Sequence, residues 1–290
     1  MGRSVVRFDV RYSLFKTNRM ITFPNAKLNI GLNIVEKRED GYHNLETLFY
    51  PIPIKDALEF VPSTQGKTSF HSSGIDVGGD AESNLVMKAL RLLGQDFDIP
   101  PIDIYMEKSI PFGAGLGGGS ADAAFMLKML NDAFNLGLTE SQLEGYSSKL
   151  GADCAFFIKN KPVFATGIGN CFEPITLSLK GYFLVLVKPD IHVSTPMAYS
   201  LVKPHAPEYP IKEWITKPIV EWKDRILNDF EVSVFSKFPA IGEIKEELYR
   251  QGALYASMSG SGSSVFGIFD KQVDLSELFK GCYIFQDFLE

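Results

Sequence analysis

Cysteine is scarce. Cys154, Cys171 and Cys282 are an odd three with no Cys-x-x-Cys pair. That fits a reducing compartment better than a disulfide framework, so a cytoplasmic location is expected. The four histidines show no His-x-x-x-His or His-Glu-x-x-His spacing, so no zinc site is supported. Long apolar runs are missing too. Stretches such as 182–187 fall far short of the roughly 20 residues that a membrane helix needs. Positive charge is not in excess: the formal net charge is −6, which argues against a nucleic-acid partner. It leaves small anionic substrates open, because local donors can outweigh a global charge. No repeat or low-complexity tract stands out.

What remains is an ordinary globular composition of 290 residues, 45% hydrophobic and 22% charged, enough for one large domain or two medium ones. Residues 1–19 differ, carrying Arg3, Arg7, Arg11, Lys16 and Arg19 against Asp9 alone. A targeting peptide, a basic arm and an extension upstream of a start at Met20 compete, and the last is preferred. Beyond Met20, Leu28, Ile30, Leu32 and Ile34 alternate with polar residues as in a half-buried strand. Asp40-Gly41 marks a turn, and strands are expected in "LETLFYPIPI" and "DALEFVP". Ser83 and Gly94 bracket an expected helix, and Ile102, Ile104 and Met106 mark a further strand. A mostly apolar helix is expected from about Ser120 to Phe134. Thr139 and Gln142 then form a capping box for a helix stopping at Gly151. Later elements include strands near 163–166, 182–187 and 265–269, a helix capped by Thr195 ahead of Pro196, a helix near 240–250, and a closing helix-strand pair. Strands and helices mix without regular β-α-β alternation, which indicates an α+β fold.

The densest signal is "PFGAGLGGGSADAA" at 111–124, with five glycines in the seven positions 113–119. Gly113, Gly115 and Gly118 spell Gly-x-Gly-x-x-Gly, the dinucleotide fingerprint. The context does not fit, because the preceding strand alternates and no acidic strand end follows about 20 residues later. No Gly-Lys-Ser/Thr follows either, which excludes a Walker A loop. A mobile glycine turn is the bland alternative. The run into a buried helix favours an anion site: several free N–H groups at a helix N-terminus can wrap phosphates without any charged side chain. The Ser120 hydroxyl would be free to touch phosphate or a metal ion.

The whole motif resembles the ATP loop of the galactokinase, homoserine kinase, mevalonate kinase and phosphomevalonate kinase (GHMP) superfamily. "FPNAKLNIGLNI" at 23–34 and "SMSGSGSSVFG" at 257–267 resemble two more of its signatures, in the same order. "DGYHNLETLF" and "GADCAFFI" are similar to the branch whose substrate is 4-diphosphocytidyl-2-C-methyl-D-erythritol, phosphorylated at its 2-hydroxyl by ATP on the non-mevalonate route to isoprenoid precursors. The resemblance spans residues 20 to about 270. It implies a two-lobed α+β kinase, with an N-terminal lobe like the second domain of ribosomal protein S5 and a ferredoxin-like C-terminal lobe. The expected division is 1–19 extension, 20–165 ATP-binding domain and 166–290 C-terminal domain. ATP, Mg²⁺ and a small-molecule substrate would meet in the cleft, with no nucleic acid or membrane involved, in a monomer or homodimer.

Roles follow from that resemblance. Asp153 would be the general base and Lys27 its partner. Taken alone, Lys27 reads as a solvent-facing strand residue and Asp153 as a turn residue. Asn84 and Lys108 would lie near the adenine, with Pro111, Gly113, Ala114, Gly115, Leu116, Gly117, Gly118, Gly119, Ser120 and Ala121 around the phosphates. Tyr42 and Tyr199 would sandwich the cytosine and His43 would hydrogen-bond it. Asn29, Thr195, Gly260, Ser261 and Gly262 complete the substrate side. No metal-binding carboxylate is evident. The chain departs from the family pattern after "GAD", where Cys154-Ala155 replaces the common Val-Pro, and at Tyr199, which is often Phe. A sister kinase for another alcohol, or a nucleotide-binding regulator without activity, are the alternatives. "GYHN" disfavours the first, and Lys27 with Asp153 the second.

Overall fold

The computed structural model describes residues 20–76, 78 and 80–290, so expectations for 1–19 lie outside the described residues. The first strands are β1 (Met20–Thr22), β2 (Asn25–Lys37), β3 (His43–Lys55), β4 (Ala57–Pro62) and β5 (Ser69–Gly74). β2 and β3 form an antiparallel hairpin that turns at Asp40-Gly41, where Gly41 takes a φ of 86°. A 3₁₀ turn at Ala81–Ser83 leads into α1 (Leu85–Leu93). Its N-cap is Asn84, whose Oδ1 accepts from Val86 N at 2.8 Å, and not Ser83 as expected. Ser83 is engaged one turn earlier, where its own N–H donates to Asp80 Oδ1 at 2.7 Å.

β6 (Ile102–Lys108) buries Ile102, Ile104 and Met106 as the alternation predicts. α2 (Gly118–Ala133) begins inside the glycine run, followed by α3 (Glu140–Ser147) with the expected Thr139–Gln142 capping box. α3 is capped at Ser148 and turns carry the chain to Gly151, earlier than the expected stop. Next come α4 (Phe156–Lys159), β7 (Val163–Thr166), β8 (Cys171–Pro174), β9 (Phe183–Lys188) and α5 (Thr195–Ala198). Ser194 holds the N-cap of α5, which moves Thr195 into its first turn. The chain ends with α6 (Ile211–Trp214), α7 (Phe230–Lys237), α8 (Pro239–Arg250), β10 (Tyr255–Met258), β11 (Val265–Phe269) and β12 (Tyr283–Phe288). The helix expected before β12 is replaced by turns.

Three four-stranded sheets result, ordered β1-β4-β6-β5, β2-β3-β7-β8 and β10-β11-β9-β12. Only β5 and β6 pair in parallel among them. The architecture is two-lobed α+β. One core lies under α1 and α2, and another under α7 and α8. Between them Leu28, Ile30 and Leu48 of the β2–β3 hairpin pack with Leu186, Tyr255 and Phe266 of the third sheet. This central layer corrects the reading of β2 as half-buried: every residue from 25 to 34 is buried, the polar Lys27, Asn29 and Asn33 included. A register shift between Ile30 and Leu32 turns the strand at Gly31, whose φ is 68°; a Cβ there would lie 2.6 Å from Ile226.

Ile30→Ala removes a fully buried side chain from the layer joining the lobes. It should cost about 2–5 kcal/mol in urea unfolding, whereas Val232→Ala on the exposed face of α7 should stay within about 0.5 kcal/mol.

Candidate active site

Two cavities meet at the glycine run. The larger, about 570 Å³, is walled by the loop from Ile110 to Ser120, with Asn84, Lys108 and Asp122 on its other sides. The smaller, about 190 Å³, is lined by Lys27, Asn29, Asp153, Thr195, Tyr199, Gly260 and Ser261, among others. Gly115 and Gly117 line both and form the shared wall.

Glycine is required in that wall. Gly113, Gly115 and Gly117 take φ values of 60°, 73° and 71°, in the left-handed region. A Cβ on Gly115 would sit 2.0 Å from the Ser259 carbonyl oxygen, and one on Gly118 2.8 Å from Ile110. Ala121 N donates to Gly117 O at 2.9 Å as α2 begins. The N–H groups of Gly118, Gly119 and Ser120 precede that first bond and are free for an anion, helped by the helix dipole. Pro111, Gly113, Ala114, Leu116, Gly119 and Ser120 all line the larger cavity. Ala121 does not; its side chain belongs to the core.

Lys27 and Asp153 come together. Lys27 Nζ lies 3.4 Å from Asp153 Oδ2 and 3.1 Å from Gly115 O, which accepts from it. It also donates to Asn29 Oδ1 and sits 4.8 Å from the centre of the Phe49 ring. The backbone reinforces this, since Lys27 N donates to Leu116 O at 3.0 Å. The Lys27 side chain is only 4% exposed and that of Asp153 32%, so the carboxylate is the member open to the cavity. Next to it, burial pushes the Cys154 thiol up to about 11, against the opposing effect of the Ser120 hydrogen bond. Cys154 is thus a protonated core residue at neutral pH, not a reactive thiol.

Other expected site residues are placed less simply. The Tyr199 ring stacks on His43, with centroids 4.6 Å apart and planes inclined 24°, and is backed edge-on by Phe230. Tyr42 is 63% exposed. The structure therefore sets His43, not Tyr42, against the face of Tyr199, and neither Tyr42 nor His43 lines the smaller cavity. Burial, then Lys37, lowers the His43 pKa and favours the neutral ring. Gly262 does not line the smaller cavity, and a Cβ there would lie 2.7 Å from Met258 Sδ. Lys108 lines the larger cavity, but its ammonium is held by Asp56 and, at 2.7 Å, by Asp122. Asp56 Oδ1 also accepts from Ser109 N at 2.6 Å and Ile110 N at 2.8 Å, fixing the entry to the loop. Burial lowers the Lys108 pKa, but the two carboxylates outweigh it and the net shift is upward. Burial raises that of Asp122 above the usual carboxylate range.

Asp56, Asp122, Phe49 and Ser259 are site residues that sequence reasoning missed. Asp122 was visible as an acidic residue inside the 111–124 motif, near the start of a mostly apolar helix.

A glycine-walled anion cradle opening beside a Lys–Asp pair defines a small-molecule phosphotransferase. Residues 84–161 match the family described as "GHMP kinases N terminal domain" and 218–281 match "GHMP kinases C terminal". The chain is 61% identical over 270 residues to 4-diphosphocytidyl-2-C-methyl-D-erythritol kinase of Bacteroides fragilis, covering 92% of this chain and 98% of that one. The Bacteroides thetaiotaomicron enzyme of the same name is 59% identical over 268 residues, with the same coverage. A crystal structure of 4-(cytidine 5'-diphospho)-2C-methyl-D-erythritol kinase superposes with a TM-score of 0.79 at 29% identity, over 92% of this chain and 98% of that one. Homoserine kinase from Cytophaga hutchinsonii shares the fold, at a TM-score of 0.72 and 16% identity over 94% and 96% of the chains. The chain belongs to the 4-diphosphocytidyl-2-C-methyl-D-erythritol kinase family, within the ATP-dependent GHMP kinases.

Lys108→Met would strand two buried carboxylates and should cost about 3–5 kcal/mol in urea unfolding. Asp122→Asn leaves the ammonium paired with Asp56 and should stay within about 1 kcal/mol. Equal losses would contradict the charge assignment.

Proposed function

We propose that this kinase transfers the γ-phosphoryl group of ATP to the 2-hydroxyl of 4-diphosphocytidyl-2-C-methyl-D-erythritol, with Asp153 as general base. The observation that carries this reading is the Lys27–Asp153 pair, 3.4 Å apart beside the wall shared by the two cavities. ATP occupies the larger cavity, its phosphates against the free N–H groups at the start of α2. The alcohol occupies the smaller cavity, held by Asn29, Thr195, Gly260 and Ser261. Its hydroxyl meets the Asp153 carboxylate, which takes the proton as the oxygen attacks phosphorus. Lys27, 3.4 Å from that carboxylate, offsets charge gathering on the transferred group. The cytosine lies beside the His43–Tyr199 stack, with Tyr42 as its exposed aromatic neighbour.

Among the described residues no cluster of three or more His, Cys, Asp or Glu side chains could hold a metal. An Mg²⁺ carried in on the nucleotide would keep its waters and phosphate oxygens and take little from protein. Ser120 and Asp122, both in the wall of the larger cavity, carry side-chain oxygens that would join them. Bound there, such an ion would supply neutralisation of phosphate charge.

The relatives' names support the cytidylyl substrate, and the ring cluster of His43, Tyr199 and Phe230 favours an alcohol bearing a base over mevalonate or homoserine. Asp153→Asn should lower kcat by about 10²–10⁴-fold while ATP still binds, as read by ADP release and by nucleotide titration. A wild-type rate in this variant would remove Asp153 as the base. No turnover of the cytidylyl alcohol by the wild-type enzyme, or equal turnover of mevalonate, would refute the substrate.

A further inference from the structure

Three segments far apart in the chain converge on one backbone oxygen. Gly115 O, in the wall between the cavities, accepts from Lys27 Nζ at 3.1 Å and from Ser259 Oγ at 2.8 Å. Ser259 Oγ in turn accepts from Asn29 N at 3.1 Å, so a fully buried hydroxyl bridges β2 and the phosphate loop. Ser259 is itself braced. Its N–H donates to Ser264 O at 2.9 Å, and Asn228 Nδ2 donates to Met258 O and Gly260 O on either side of it. The backbones touch as well, since a Cβ on Gly115 would meet the Ser259 carbonyl and one on Gly260 would lie 3.3 Å from Gly115 Cα.

We infer that Ser259 is a positioning residue: its hydroxyl couples the phosphate loop in the nucleotide cavity to the placement of Lys27 in the substrate cavity. This rests on Lys27 and Asp153 as the reacting pair. The Gly115 carbonyl has two lone pairs, one for the ammonium and one for the hydroxyl. Without Ser259 Oγ the carbonyl is free to turn, and the ammonium that follows it moves relative to Asp153. Asn29, whose side-chain oxygen also holds Lys27, loses the acceptor of its backbone N–H in the same step. The helix N-terminus that binds phosphate is untouched, so the loss falls on the chemical step and not on nucleotide affinity.

The test is Ser259→Ala. Its kcat should fall about 10-fold or more with the KM for ATP changed by less than about 3-fold, the pattern of a misplaced reacting group. Hydrogen–deuterium exchange reads the coupling without turnover. In the wild-type enzyme ADP should slow exchange in both 110–121 and 257–264; in Ser259→Ala it should slow only 110–121. Wild-type kcat in the variant, a loss confined to KM, or equal ADP protection of 257–264 in both proteins would each overturn the inference. Ser259→Cys, nearly isosteric but a weak donor, carries the same test if the alanine variant fails to fold. Turnover of the cytidylyl alcohol by the wild type tests the substrate separately, since the exchange measurement needs only ADP.

Discussion

The phosphate loop can serve two cavities because its backbone, bare of side chains, is pressed against the C-terminal loop. Gly115 touches Ser259 so closely that no Cβ fits, and its carbonyl takes both the Lys27 ammonium and the Ser259 hydroxyl. Everything near the proposed chemistry depends on that contact. It sets where Lys27 points, hence where Asp153 is held, and it makes the loop a wall thin enough to separate the two cavities by a peptide's width. Left-handed φ values at alternate positions let the chain fold over without side chains in the way.

Buried charge is arranged differently on the two sides of that wall. On the side of the larger cavity Lys108 is enclosed by Asp56 and Asp122, and Asp56 also receives two backbone N–H groups from the start of the loop. That network fixes the end of β6, from which the loop departs. On the side of the smaller cavity Lys27 is buried but Asp153 is open to the cavity. A closed cluster suits scaffolding and a half-open pair suits proton transfer, because the acceptor must reach a substrate hydroxyl.

Local patterns in the chain carried much of this. The α+β class, the glycine run, the α3 capping box and the face of β6 all follow from spacing or turn chemistry. Lys27 and Asp153 were legible only through motif resemblance, since each alone reads as an ordinary surface residue. What escaped depends on long-range packing. β2 looks half-buried, yet a sheet from the other lobe covers it, so its polar residues are internal. Asp56, Lys108 and Asp122 come from three separate stretches, and Ser259 lies 144 positions from the carbonyl it holds. His43 beside Tyr199 joins the start of β3 to the short helical segment after α5, a pairing that no local period encodes.

The most direct test of the central claim is a crystal structure of the ternary complex with a non-hydrolysable ATP analogue and 4-diphosphocytidyl-2-C-methyl-D-erythritol. It should place the substrate 2-hydroxyl within about 3 Å of the Asp153 carboxylate, facing the γ-phosphate across the Gly115–Gly117 wall. A 2-hydroxyl turned away from Asp153, with another group in reach of its proton, would contradict the account.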